Sequence, residues 1–130
     1  MSLNVSSELI EQAQVGQVNE EAFIECIKES LPYAFGVVQN LAKRLAQGEG
    51  AWVEHSVPPP SESDRAQLLR MMGGDAIRGA VERYFGIKLA FQNCHKTAAF
   101  RPEEMNSSAY LNFISIPSQI LNQSPELRDC

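Results

Sequence analysis

The chain has 130 residues, 44% of them hydrophobic and 21% charged, with a formal net charge of −5. That mixture is too apolar for disorder and too varied for a coiled-coil rod, and the length suits one domain burying roughly two-thirds of its unfolded surface. No window comes near ~18 uninterrupted apolar residues, and MSLNVSSELIEQ lacks a basic-then-apolar leader, which argues against a membrane span and a secretory signal.

The charge is unevenly placed. Residues 1–42 carry −5, residues 43–101 carry +3, and residues 102–130 carry −3. Tight duplex binding relies on clustered phosphate contacts, so nucleic acid is not indicated as a partner. An acidic N-terminal surface that docks on a basic partner is the sharper alternative to plain solvated faces. Three cysteines, Cys26, Cys94 and Cys130, form no CxxC pair and no even framework, which points to a reducing cytoplasm rather than to disulfides. Cys130, at the chain end, is a candidate exposed thiol.

Ser6 or Ser7 can cap a short helix reaching about Gln14, ended by Val15-Gly16. The strongest pattern follows. Ile24, Ile27, Leu31, Ala34, Val38, Leu41 and Leu45 recur at spacings of three and four, a single helical face. Asn19 with Glu20 and Glu21 suits its start, and Lys43, Arg44 and Gly48 suit its end. Pro32 excludes a straight helix, yet the stripe keeps its phase, which predicts one long helix kinked at the proline. Phe23, Phe35 and Val37 widen the apolar surface, so this helix is either central to its own core or packed on a second copy.

Residues 48–61 read as a Pro-rich loop, with Pro58-Pro59-Pro60 as an extended spacer and Trp52 as its anchor on the domain. Ser61 through Asp64 open a helix carrying Leu68, Leu69 and Met72, which Gly73-Gly74 breaks. Asp75 can cap the next helix, bearing Ile77, Ala80, Val81 and Tyr84 and stopped by Gly86. MMGGDAIRG lacks the spacing of phosphate-binding glycine loops, and Arg65, Arg70, Arg78 and Arg83 form no single stripe. The period then changes to two: Ile87, Leu89 and Phe91 alternate, Asn93 to Lys96 turns, and Thr97 to Phe100 returns, predicting a hairpin at about 87–101. Residues 103–116 fit helix or strand, with helix followed by extended chain favoured. Pro117 then ends regular structure, and Ser118 can cap one further turn.

Cys94-His95 is the one adjacent pair of reactive types. Neighbours on an extended chain point to opposite sides, so His55 is the better base for Cys94 if the loop folds over the hairpin. The bland alternative is a half-buried thiol and a turn histidine bonded to backbone. Zinc ligation lacks finger or ribbon spacing, and the paired carboxylates suit helix starts and a solvated face, so no metal, cofactor or acid–base motif is indicated. The sequence predicts an α+β, mainly helical single domain over 1–130, with room for loose order at 1–18 and 122–130. A long Pro-kinked helix and two shorter helices pack with a small β-hairpin. The expected function is that of a cytoplasmic accessory, assembly or regulatory protein that binds another protein, with a homodimer as one form of this, rather than an enzyme. The alternative is a small enzyme or ligand-binding domain at the hairpin turn, with Cys94, His95 and His55 as catalytic candidates. Trp52, Tyr84 and Arg101 are the binding candidates.

Overall fold

The computed structural model describes residues 2–93 and 95–122. Cys94, Cys130 and most of the 122–130 segment, on which the sequence places expectations, lie outside the described residues. The architecture is α+β and mainly helical, with seven α-helices and a three-stranded antiparallel sheet among the described residues.

The chain opens with α1 (Ser7–Gln14), whose Ser6 side chain accepts from the Leu9 N–H. The long apolar stripe is divided into two helices, α2 (Glu20–Ser30) and α3 (Pro32–Ala46). The expected single kinked helix gives way at one residue: Leu31 leaves helical geometry at φ −129°, ψ 58°. The reason is the proline. As the first residue of α3, Pro32 forfeits an N–H that needs no intrahelical partner there, and it pushes the preceding residue out of the α region. Phase survives because only one residue separates the helices. Leu31 is fully buried and still serves both of them: its N–H donates to the Ile27 carbonyl at 2.7 Å, and its carbonyl accepts from the Phe35 N–H at 2.9 Å.

The segment read as a Pro-rich loop contains a strand, β1 (Trp52–His55). Four residues with a single buried position carry too weak an alternation to stand out beside three prolines, and only pairing with a distant strand makes them β. α4 (Glu62–Met72) is capped by Ser61, which accepts from the Asp64 N–H. It ends at Gly73, where a Cβ would sit 2.8 Å from the Leu69 carbonyl oxygen. α5 (Asp75–Phe85) starts from Gly74 without a side-chain cap, so Asp75 occupies its first turn rather than the cap position. Gly86 closes α5 in the left-handed conformation, φ 68°, the geometry that favours glycine.

The predicted hairpin is β2 (Lys88–Gln92) and β3 (Lys96–Phe100), and β1 completes the order β1-β3-β2. Trp52 pairs with Phe100 and His55 with Thr97 on one side of β3; Lys88 pairs with Phe100 and Gln92 with Lys96 on the other. Alternation along the strands builds two cores. Val53, Leu89 and Ala99 face α2–α5 and join Ile27, Leu31, Val38, Leu41, Leu68, Met71 and Val81. Ala90, Ala98 and Phe100 face the opposite way and are covered by α6 (Ser108–Phe113), through Ala109, Tyr110 and Phe113. Pro117, read as a terminator, instead stands second in α7 (Ile116–Leu121), capped by Ser115 rather than Ser118. The first turn of a helix tolerates proline for the same reason as at Pro32. No helix of the described residues is long and apolar enough to cross a membrane.

Candidate functional site

The hairpin-turn candidates come together in part. His55 ends β1, and its partner across the sheet is Thr97, two residues beyond His95. The imidazoles are close enough for His95 to act on His55 electrostatically, and Arg65, from the second turn of α4, acts on His95. Burial lowers the pKa of His55, and the charges of His95 and Arg44 lower it further, against the opposing pull of the Val57 carbonyl. Burial likewise lowers that of His95, with Arg65 adding to it and the Ser56 carbonyl opposing. Both rings are therefore held neutral at neutral pH.

Nε2 of His55 and Nε of Arg65 are buried with no hydrogen-bond partner among the described residues. The outer edge of Arg65 is held by Glu62 at 2.7 Å. With each neutral imidazole giving its N–H to a backbone carbonyl, the cluster's unpartnered buried atoms are one acceptor, His55 Nε2, and one donor, Arg65 Nε. Among the described residues, no group of three or more His, Cys, Asp or Glu is placed to hold a metal ion.

The binding candidates are dispersed. Trp52 stacks on Phe100 with ring centroids 5.1 Å apart and meets Phe113 edge-on at 6.1 Å, so it forms part of the second core. Arg101 donates from Nη2 to the Leu45 carbonyl at 3.2 Å, satisfying the C-terminal end of α3. Tyr84 is 54% exposed and packs edge-on against Phe85.

What sequence reasoning missed lies around α1. On one side of this helix, a cleft of about 370 Å³ is lined by Val5, Leu9, Ala13, Val18, Phe23, Ala76 and Ala80, with Glu20 and Arg83 at its edge. Arg83 Nε pairs with Glu20 Oε1 at 2.7 Å. On the other side, a cleft of about 290 Å³ is lined by Glu8, Glu25 and Glu29 together with Gln12 and Cys26. Leu9 contributes to both. Val5, Val15 and Val18 are 42%, 73% and 46% exposed, an uneconomical use of apolar side chains on so short a stretch. The sequence signal was present in those valines, but α1 shows its two flanking clefts only once α2 and α5 are in place.

Across residues 1–130, the sequence matches the family described as NucS shadow ORF, whose name also carries the prefix KH. The chain belongs to this family. No curated protein and no solved structure matches it.

Proposed function

We propose that this NucS shadow ORF family member is a non-catalytic binding module. On this reading the surface around α1 receives an amphipathic segment of a partner protein with basic flanks. The observation that carries the reading is the pair of clefts on the two sides of α1, one apolar and one lined by three glutamates. An amphipathic helix laid on such a surface puts its apolar anchors in the first cleft and its basic side chains over the second. The net −5 of residues 1–42 favours the approach of a basic segment over an acidic one. The expected role is accessory or regulatory, in the cytoplasm.

The test is fluorescence anisotropy with a labelled amphipathic helix bearing leucines on one face and lysines on the other, against the same peptide carrying glutamates. The lysine peptide binds and the glutamate peptide does not. Val18→Asp weakens binding by about tenfold or more, equivalent to about 1.4 kcal/mol. Equal binding of both peptides, or binding indifferent to Val18→Asp, refutes the reading.

A second reading draws on the KH prefix. KH modules clamp the backbone of about four nucleotides with a GXXG loop. In this chain Gly73-Gly74 joins α4 to α5. The Nη1 of Arg70 lies 3.8 Å from where a Gly74 Cβ would stand, and Arg78 donates to the Met72 carbonyl at 2.8 Å. The glycines are adjacent rather than separated by two residues, and Asp75 follows them. Anisotropy with oligo-dT and oligo-rU decides this reading: salt-sensitive binding lost in Arg70→Ala supports it, and no binding at low salt removes it.

A further inference from the structure

We infer that the α6–α7 corner is a self-association face that joins two copies of this chain. Leu111, Ile114, Ile116, Ile120 and Leu121 are 52%, 53%, 75%, 63% and 81% exposed. Their exposed areas sum to roughly 500–600 Å², as much as the largest apolar patch of an ordinary monomer. With a polar rim, that approaches the roughly 800 Å² per partner of a specific interface. Ile116 and Ile120 lie one turn apart on α7, and Leu111 and Ile114 stand three apart at the end of α6.

The patch is held firmly. Gln92, buried at the end of β2, donates from Nε2 to the Phe113 carbonyl and accepts from Asn122 Nδ2, and Gln119 donates to Asn93 Oδ1 at 3.2 Å. Both short helices are thereby tied to the hairpin, so little ordering remains to be lost on association.

Charge selects the occupant. Residues 105–122 contain no Lys, Arg, Asp or Glu in a chain of net charge −5. A partner recognised by charge has nothing to read there. Two copies of an acidic chain, by contrast, meet with least repulsion where neither is charged. The dimer surface expected from sequence, the long helical stripe, is not available for this: Phe35 and Val37 are buried in the chain's own core.

Sedimentation equilibrium of the full chain, under reducing conditions, tests the inference. At about 200 µM the 14.4 kDa chain sediments as a dimer. Its dissociation constant does not rise between about 50 and 500 mM NaCl, because no charges are paired across the face and salt screens the repulsion between two acidic chains. Ile116→Lys with Ile120→Lys weakens association by at least about a hundredfold. Leu111→Lys acts in the same direction as an independent variant, and Val18→Asp leaves the dimer intact. Far-UV circular dichroism confirms that each variant folds, which their exposure favours. A monomer at 200 µM, a dimer indifferent to both sets of α6–α7 variants, or a monomer that pellets with phosphatidylcholine vesicles overturns the inference, the last assigning the patch to a lipid surface.

Discussion

Replacing Gln67 with methionine tests how the break at Leu31 is held. The first N–H groups of a helix have no intrahelical partner, and Leu31, at the cap position of α3, offers no side-chain acceptor. Gln67 supplies one from the neighbouring helix: its Oε1 accepts from the Tyr33 N–H at 2.7 Å and from the Ala34 N–H at 3.3 Å. Gln67 is 7% exposed, so water cannot easily replace it. Methionine keeps the length and volume and removes the acceptor. A buried donor left unpaired costs about 1–3 kcal/mol, and the second bond is long, so about 2–3 kcal/mol is expected in total. For a domain of this size, near 4 °C per kcal/mol, that lowers the melting temperature by about 8–12 °C. Urea unfolding followed by circular dichroism measures the loss. Amide hydrogen exchange locates it, with protection falling first at Tyr33 and Ala34. A loss under about 0.5 kcal/mol, or unchanged exchange at those two amides, refutes the account.

Phe100→Ala removes the centre of the second core, a fully buried ring between Trp52, Tyr110 and Phe113, and costs about 3–5 kcal/mol in urea unfolding. Because the pKa values of His55 and His95 are lowered by folding, the unfolded chain binds protons first as pH falls. Stability is therefore full above about pH 6.5 and declines below it, by about 1.4 kcal/mol for each unit of depression. Melting temperatures between about pH 7.5 and 5.5 show this slope, and His55→Asn flattens it. Gly86→Ala forces a Cβ into the left-handed region with no steric neighbour nearby, so it costs about 1 kcal/mol by strain alone, seen as a shifted urea midpoint at constant slope.

Much of the fold was legible wherever neighbours in sequence decide the structure. The caps at Ser6, Asn19 and Ser61, the stop at Gly86 and the hairpin are local patterns that formed where expected, and the stripe from Ile24 to Leu45 kept its buried face although Leu31 divides it into two helices. The candidate site was less legible. The sequence conditions an approach of His55 to Cys94 on the loop folding over the hairpin; Cys94 lies outside the described residues, and pairing of β1 with β3 sets His55 opposite Thr97, within electrostatic reach of His95. Trp52 and Arg101 were singled out as binding residues, but one belongs to an aromatic core and the other to a helix end, because chemistry-bearing side chains are also good packing and capping material.

By itself, then, the sequence determined the mainly helical α+β composition, most helix limits, and the concentration of acid in residues 1–42. Periodicity, caps and charge act over one or two turns and need no tertiary partner. Only the tertiary structure decided that Trp52–His55 is a strand, that Gln67 caps a helix 33 residues upstream, and that α6 covers the far face of the sheet. Each of these rests on one acceptor, one ladder or one ring meeting a group far along the chain. Such contacts leave no periodic trace, so the clefts beside α1 and the bare aliphatic corner at α6–α7 emerge only when the elements are packed.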